Sequence, residues 1–388
     1  MKKQFWLSAT TLALFIFAAG VPSPLYTIFQ QQWHFSTVML TVIFAAYAFS
    51  FILSLLFTGR LSDYIGRRPV LVMVLAIEMI SMAIFSFADG TAMLIIARLL
   101  QGIATGIASA TLSARLLDSQ PTDNPGLAGV TTTIVPVASI GAGSLVASLL
   151  IAYAPWPTHL VFWAVFAASL VLALLLGISR ETNVPQPGWW QALKPKVLLP
   201  VKAYGALKVM GPSLIACWAL IGFYLSLGPS IAMTLLHDHG NLLGGLLIFG
   251  LTTPAALLMY CFRKWDNTKL VRLSNALACI GLLATMYSLL TSSPVLFLVG
   301  TIIAGMGFGP AFMSAFRGIM AHAEPNNRAG LASAVYIISY IAFGVPTVVA
   351  SMFLDSAGLR IVAMVYAFVL VLLYALTVLR SRRRFVLI

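Results

Sequence analysis

The sequence predicts an all-α membrane protein with twelve transmembrane helices, and two observations lead to this fold class. Of the 388 residues, 60% are hydrophobic and 9% are charged, whereas soluble proteins carry about 25% charged residues. Apolar runs of about 20 residues, the length that a helix needs to cross the hydrocarbon core of a bilayer, recur along the whole chain. A soluble globule could not bury this much apolar surface, so the runs are predicted to be membrane helices.

The predicted spans form two sets of six, separated by a polar interval at 179–205. The first set is 5–28, 37–58, 70–88, 91–116, 127–153 and 159–178, and the second is 206–235, 242–262, 271–290, 294–318, 329–353 and 358–379. The interval holds four prolines and the pair Trp189–Trp190, whose rings suit the bilayer interface. We therefore predict an N-terminal bundle at 1–180, a linker at 181–204 and a C-terminal bundle at 205–388.

The two sets also resemble each other in sequence, at offsets of 203 to 205 residues. The matching features are residues 120–129 with 324–333, Gly102 and Gly106 with Gly305 and Gly309, and Pro24 with Pro229. Such a duplication predicts two six-helix bundles related by a pseudo-two-fold axis along the membrane normal. The small residues at the matched glycines predict close helix packing.

Basic residues lie almost entirely on one side of the predicted spans. Of the 23 lysines and arginines, 21 fall on the side that carries both termini and the linker, which leaves Arg98 within a span and Arg360 on the opposite face. Cytoplasmic loops are enriched in these residues, so we expect a multi-pass protein of the inner (plasma) membrane with both termini in the cytoplasm. The net charge of +13 comes from basic residues that are distributed by side of the membrane. We therefore expect no nucleic-acid partner.

A short charged segment, Gly59-Arg-Leu-Ser-Asp-Tyr-Ile-Gly-Arg-Arg-Pro69, separates the second and third spans. Its pattern, carried by Gly59, Asp63, Gly66, Arg67 and Arg68, resembles the loop between helices 2 and 3 of major facilitator superfamily transporters. In the fourth span, Arg98, Gln101, Gly102 and Gly106 resemble a second motif of that family. The resemblance covers nearly the whole chain and implies the major facilitator fold. Among the subfamilies, the chain looks most like the bacterial drug and small-metabolite proton antiporters.

This resemblance implies a gate at the cytoplasmic side. In the family, the loop aspartate caps the start of helix 11, which here lies near 328–330, and the following arginine joins a charge cluster. The cluster would consist of Asp63, Arg67, Asp118 and Arg317. A plainer alternative is that these charges only mark the membrane boundary, although the positive-inside bias does not explain Asp63 between the arginines.

Glu78 and Arg98 lie inside predicted spans, where ionisable groups are costly and are usually paired or functional. Their distances from the span ends place them about one turn apart in depth on adjacent helices, so a direct pair is feasible. A carboxylate beside arginine stays ionised, whereas desolvation favours its protonated form. The pair is therefore a candidate for proton coupling, which the family resemblance also implies for Arg98. The alternative is a fixed pair that stabilises the bundle.

The family also implies that the first, fourth, seventh and tenth spans line the substrate cavity. Candidates on those spans are Tyr26, Gln101, Tyr224, Ser226, Phe308 and Met313, although each of them alone also suits helix packing. The small number of buried charges favours a neutral or lipophilic substrate. The segment His237-Asp238-His239 is more typical of a solvated loop than of a metal site, so no metal is expected.

The fifth span departs from the antiporter pattern. Those proteins carry Gly-Pro followed by paired glycines, whereas this chain has Val135-Pro136 and then Gly141 and Gly143. Proton-coupled efflux and proton-coupled uptake of a sugar or organic acid both remain open. No phosphate-binding Gly-x4-Gly-Lys-Ser/Thr motif occurs, so a proton gradient is the expected energy source and no cofactor is expected.

An enzyme or an intramembrane receptor would need a nucleophile with a base or a signalling domain, and neither pattern is visible in the sequence. The protein is therefore expected to be no enzyme. Its expected partners are a small-molecule substrate and the lipid bilayer, and it is expected to act as a monomer.

Overall fold

A computed structural model describes residues 2–193, 199–235, 242–323 and 328–384. This part of the chain is helical, with no strand among the described residues. The α-helices are α1 Lys2–Gly20, α2 Pro22–Trp33, α3 Thr37–Thr58, α4 Leu61–Ile65, α5 Arg67–Ser86, α6 Thr91–Asp118, α7 Leu127–Tyr153, α8 Leu160–Gly177, α9 Val201–Leu235, α10 Leu242–Cys261, α11 Asn267–Thr291, α12 Pro294–Met320, α13 Arg328–Ser351 and α14 Leu354–Arg384. A short 3-10 helix lies at Trp189–Leu193.

Twelve helical segments are long and apolar enough to cross a membrane, which confirms the predicted number of spans. The first span consists of α1 and α2 together, and the short α4 belongs to the charged segment between the second and third spans. Large apolar side chains such as Phe49, Leu174 and Leu372 are more than half exposed on the outside of the structure. This exposure fits a surface that is covered by lipid.

The first span is interrupted where α1 ends at Gly20 and α2 begins at Pro22. Proline is well tolerated at the first position of a helix, because the N–H that it lacks would have no helical partner there. In a continuous helix, however, Pro22 and Pro24 would have to donate to the carbonyls of Ala18 and Gly20, four residues earlier. The break therefore leaves backbone carbonyls of α1 open to other donors.

Glycines bring helices into close contact within each half, as predicted. A Cβ atom on Gly102 or Gly106 of α6 would collide with Ser50 or Ser54 of α3. In the second half, a Cβ on Gly305 or Gly309 of α12 would collide with backbone carbonyls of α10. The matched glycines thus serve the same packing purpose in both halves.

The two halves meet along two helix pairs, α7 with α10 and α3 with α13. At the first seam, a Cβ on Gly141 would collide with Thr252 across the interface. At the second seam, the rings of Phe44 and Phe343 lie 4.7 Å apart between centroids. Small and aromatic side chains form these seams. No ion pair between described residues crosses them.

The predicted division at 1–180, 181–204 and 205–388 stays a prediction. The seventh span begins at Val201, a few residues before the predicted start. Residues 194–198 of the predicted linker and the predicted loop His237-Asp238-His239 lie outside the described residues.

The glycine packing can be tested by replacing Gly102 with alanine. We expect Gly102→Ala to lower the unfolding temperature in detergent, because the added methyl group meets the Tyr47 carbonyl and the Ser50 hydroxyl and overpacking costs about 1–3 kcal/mol. Gly129→Ala is the matched control, since a Cβ there would have no neighbour within 4 Å. Equal unfolding temperatures for both variants would contradict the close contact.

Candidate functional site

A buried network of polar side chains lies inside the first half, between α1, α2, α5 and α6. We call Tyr26, Glu78, Arg98 and Gln101 the buried network; none of them is more than 1% exposed. Arg98 and Gln101 are three residues apart on α6, so their side chains share one helix face. Arg98 Nη1 donates to Gln101 Oε1 at 2.6 Å and to the Ala19 carbonyl at 3.2 Å, and Arg98 Nε donates to the Tyr26 hydroxyl.

Gln101 separates the two charged members of this network. Its Nε2 donates to Glu78 Oε1 at 3.2 Å, while its Oε1 accepts from Arg98. The expected direct pair of Glu78 with Arg98 is not formed, because no ion pair within 4.0 Å joins them. The amide of Gln101 offers both a donor and an acceptor, so it can bridge a carboxylate and a guanidinium.

The break in the first span supplies the backbone acceptors of the network. Gln101 Nε2 also donates to the Ala18 carbonyl at 3.1 Å, and Ser144 Oγ donates to the Gly20 carbonyl at 2.8 Å. These two carbonyls are the ones that Pro22 and Pro24 cannot serve. Backbone groups buried in a membrane need partners within the protein, so the prolines and the polar side chains of neighbouring helices complement each other.

Within the described part of the chain, Glu78 Oε2 and Arg98 Nη2 of the network have no hydrogen-bond partner. The Arg98 guanidinium instead lies 5.3 to 5.8 Å from the ring centroids of Tyr26, Tyr47 and Phe85, a cation–π arrangement. Burying a carboxylate without a charged partner is costly. In this conformation the Glu78 carboxyl group is held by the Gln101 amide and has no ion-pair partner among the described residues.

Tyr47 of α3 connects the network to the other half of the protein. Its ring centroid lies 5.5 Å from the central guanidinium carbon of Arg98 and 6.1 Å from the ring centroid of Phe51. Tyr340 belongs to α13, and its ring stacks on Phe51 at a centroid distance of 3.9 Å. Sequence analysis did not single out Tyr47, because an isolated tyrosine within an apolar span has no distinguishing pattern.

A second cluster lies at the ends of α4, α5 and α6, on the face of the bundle that also carries both termini. We call this face the basic face, and we call Asp63, Arg67 and Asp118 the hairpin cluster. Arg67 Nη1 lies 2.5 Å from Asp63 Oδ1 and 2.6 Å from Ser62 Oγ, and Arg67 Nε lies 3.3 Å from Asp118 Oδ2. The structure thus brings together three of the four predicted gate residues.

The fourth predicted member, Arg317, does not join the hairpin cluster. Its Nη2 donates to the Arg263 carbonyl at 2.7 Å, within the second half. Among the described residues it forms no ion pair. Arg317 lies at the end of α12, and α12 packs on helices of its own half, which keeps the guanidinium away from Asp118. The carboxylate of Asp63 pairs with Arg67. The predicted contact of Asp63 with the start of helix 11, near 328–330, borders residues 324–327, which lie outside the described residues, and it stays a prediction.

The glycines of the hairpin have a clear backbone role. Gly66 has a φ of +107°, a conformation that favours glycine, and a Cβ there would lie 2.8 Å from Glu181 Oε2. At Gly59, a Cβ would lie 2.6 Å from the Leu55 carbonyl. Arg68 takes part through its backbone N–H, which donates to Glu181 at 2.9 Å.

Glu181 is a residue that sequence analysis missed. Its carboxylate accepts the backbone N–H groups of Arg67 and Arg68, although the residue lies more than a hundred positions away in the predicted linker. Its sequence signal is weak, since a single acidic residue beside an arginine after a span resembles any solvated boundary. Only the path of the linker shows where the carboxylate lies.

The predicted cavity residues do not line one common space. Tyr26 and Gln101 belong to the buried network, whereas the Tyr224 hydroxyl lies 2.8 Å from Thr301 Oγ1. Tyr224 also borders a small cavity of about 20 Å³ within the second half. The remaining three candidates are buried: the Ser226 hydroxyl has no hydrogen-bond partner among the residues that the structure describes, the Phe308 carbonyl accepts from Cys217 at 3.5 Å, and Met313 packs in an apolar cluster.

Twelve membrane spans, glycine-packed halves and a charged hairpin at one face are features of a membrane transporter. Residues 8–345 match the family model of the Major Facilitator Superfamily, and the chain belongs to that family. Family and fold are those of transporters.

Curated relatives match part of the chain. An uncharacterized transporter of Rickettsia felis is 32% identical over 183 residues, which is 46% of this chain and 42% of that protein. The multidrug resistance protein MdtL of Escherichia coli is 29% identical over 157 residues, 39% of each chain. The alignments thus span about two fifths of the length of these relatives.

Solved structures match nearly the whole chain. A bacterial homolog of the human lysosomal transporter Spinster, in an inward-facing and unoccupied conformation, has a TM-score of 0.75 at 15% identity and covers 98% of this chain and 97% of its own. The nucleoside transporter NupG has a TM-score of 0.72 at 13% identity, with 98% and 99% covered. At these identities the likeness shows the fold.

The bridging position of Gln101 can be tested by replacing it with methionine, which has a similar size but no amide. We expect Gln101→Met to destabilise the solubilised protein by about 1–3 kcal/mol, because Glu78 and the Ala18 carbonyl lose a buried donor. Thermal unfolding of purified protein measures this effect. Ser226→Ala is the control and should be nearly neutral, since its hydroxyl has no partner to lose.

Proposed function

We propose that the protein is a secondary active transporter that exports a small lipophilic molecule, of the drug or metabolite class, in exchange for protons. The observation that carries this proposal is Glu78, a fully buried carboxyl group whose Oε2 has no hydrogen-bond partner among the described residues and whose Oε1 is linked through Gln101 to Arg98. The Glu78 carboxyl group can exist with or without a proton, and a charge on it would interact with both Gln101 and Arg98.

Support for export and for the substrate class comes from the relatives. MdtL is named a multidrug resistance protein, and it matches 39% of this chain. The seams and the interior of the second half are rich in apolar and aromatic side chains, such as Trp218, Tyr340 and Phe343. Such surfaces suit a neutral or lipophilic substrate better than a polyanion.

We propose that the basic face lies in the cytoplasm and that the protein is embedded in the inner membrane. The distribution of lysine and arginine supports this orientation, because the sequence places 21 of 23 on the side of the predicted spans that carries both termini. The cell would then supply the substrate from the basic face and protons from the opposite face. No cofactor is needed in this scheme, and a single chain in the bilayer suffices.

Transport would proceed by alternating access between the two halves. In the structure, the halves touch near the opposite face, where Thr41 Oγ1 lies 2.7 Å from Ser351 Oγ and Gln31 Nε2 lies 3.2 Å from Met233 Sδ. At the basic face, the described arginine side chains of the cluster region bond within their own half. These contacts support a conformation in which the halves are joined at the opposite face, while no ion pair between described residues joins them at the basic face.

The buried network would then act as the proton carrier. When the transporter opens at the basic face, protonated Glu78 can lose its proton. The resulting carboxylate is stabilised by the nearby Arg98 through Gln101. Tyr47 would transmit this change to α13, because its ring lies beside Arg98 and next to Phe51, on which Tyr340 of α13 stacks. The two halves would thus respond to the protonation state of one group.

Proton coupling is tested with Glu78→Gln, which keeps the size of the side chain but cannot ionise. In everted membrane vesicles with an imposed pH gradient, we expect the wild type to accumulate at least one compound from a panel of lipophilic cations, antibiotics and sugars. The variant should bind that compound but lose its accumulation, by about tenfold or more. Asp355→Asn, an exposed carboxylate near the opposite face, is the matched control and should accumulate normally.

Full accumulation by Glu78→Gln would contradict the role of Glu78. Accumulation that occurs only in right-side-out vesicles would overturn export and would favour the alternative of proton-coupled uptake.

The hairpin cluster is tested with Asp63→Asn. We expect transport to fall severalfold while the protein stays folded in the membrane, since Arg67 loses a partner at 2.5 Å that belongs to the gate. Asp123→Asn removes an ion pair of similar length, at 2.8 Å to Lys2, but both partners are exposed. Exposed pairs contribute little, so this control should transport like the wild type. Unchanged transport in Asp63→Asn would contradict the gate.

A further inference from the structure

Residues 179–186, which include the start of the predicted linker, lie against the hairpin and the end of α6. Arg115, which is fully buried, donates from Nη2 to Ser179 Oγ at 2.8 Å and to the Arg180 carbonyl at 3.3 Å. Thr182 Oγ1 donates to Asp118 Oδ2 at 3.3 Å. This segment, which we call the docked segment, is therefore attached to the first half by side-chain and backbone bonds.

The docked segment also holds the backbone of the hairpin. The carbonyl of Asp63 accepts from Asn183 Nδ2 and from the Gln186 N–H, each at 3.2 Å. Two residues of the hairpin cluster, Asp63 and Asp118, thus have partners in the docked segment in addition to Arg67.

Glu181 provides the strongest of these attachments, at the start of α5. Its Oε1 accepts the Arg67 N–H at 3.0 Å, and its Oε2 accepts the Arg68 N–H at 2.9 Å. The first N–H groups of a helix have no partner within the helix, and the helix dipole favours a negative charge there. The carboxylate of Glu181 therefore caps α5 with two charge-assisted hydrogen bonds.

The ionised state of Glu181 fits this role. Desolvation alone would raise the pKa of the Glu181 carboxyl, but the backbone N–H groups of Arg68, Thr182, Asn183 and Arg67 outweigh it and hold the pKa below its ordinary value. A lowered pKa in the folded protein means that this stabilisation is complete above the ordinary value of 4.5 and is lost as the pH falls through the lower folded value. The cap is therefore fully present at neutral pH.

The second half caps its corresponding helix in a different way. At the start of α11, Asp266 accepts the N–H groups of Thr268 and Lys269 at 2.9 and 3.1 Å. That cap is local, because it stands directly before the helix. In the first half, the residue before α5 is Gly66, which has no side chain. The cap comes instead from Glu181, 114 positions after Arg67.

Arg67 connects this cap to the gate. Its backbone N–H is held by Glu181, and its guanidinium reaches Asp63 and Asp118. We propose that Glu181 is a positioning residue for Arg67, and that through it the docked segment forms part of the gate. A shift of the docked segment during rocking would alter the backbone of Arg67, whose side chain joins Asp63 to Asp118. This inference rests on the proposed alternating access, but it does not depend on the substrate or on the direction of transport.

The test measures the gate directly, by pulsed electron paramagnetic resonance. Spin labels are placed at Thr122 and Ala321, two exposed positions on the basic face, one in each half. The parent protein has its three native cysteines replaced and is reconstituted in lipid nanodiscs at pH 7. The distance distribution then reports how often the basic face is open or closed.

We expect Glu181→Ala to raise the population of long distances relative to short ones by about threefold, the effect of a charge at a helix terminus. Glu181→Gln keeps an acceptor oxygen but loses the charge, so it should give a smaller shift in the same direction and serves if the alanine variant does not fold. Asp266→Ala is the matched control, since it removes a cap of the same kind outside the gate and should leave the distribution unchanged.

A distribution for both Glu181 variants that equals that of the parent would overturn the proposal. An equal shift in Asp266→Ala would also overturn it, because the effect would then be a general one of lost capping. Failure of proton-coupled export in vesicles would leave this distance measurement unaffected, so the two proposals fail separately.

Discussion

Every polar backbone group buried in a membrane must find its partner within the protein. In the first span of this transporter, that requirement positions the side chains of the buried network. Pro22 and Pro24 cannot donate to the carbonyls of α1, and Gln101 and Ser144 donate to them instead. Gln101 is thereby fixed between Glu78 and Arg98. A break in one helix thus determines where the ionisable groups of its neighbours lie.

The architecture was largely predictable from the sequence, because length, hydropathy and basic residues report on the membrane directly. The grouping of Asp63, Arg67 and Asp118 followed from a family motif. Contacts that depend on helix rotation or on the path of a linker could not be predicted in this way. Gln101 between two charges, Tyr47 beside Arg98 and Glu181 on α5 are all of that kind, and Arg317 was placed wrongly because its position depends on how the two halves are oriented.

The duplication helps to explain why ionisable groups are concentrated in the first half. The offset of 203 that relates the matched glycines places Thr301 at the position of Arg98. Each of these residues bonds a tyrosine of the preceding spans, Arg98 to Tyr26 and Thr301 to Tyr224. The second half thus keeps the contact between the helices in a neutral form. Charge changes in the first half would then have a counterpart in the second half that joins two hydroxyl groups.

The docked segment also changes where the first half ends as a folding unit. The last membrane helix of that half, α8, stops at Gly177, yet residues 179–186 supply the cap of α5 and partners for the hairpin. If the gene were divided and the halves produced as separate polypeptides, the division would have to follow Gln186. A cut directly after the membrane helix would leave the first half with an uncapped helix at its own gate.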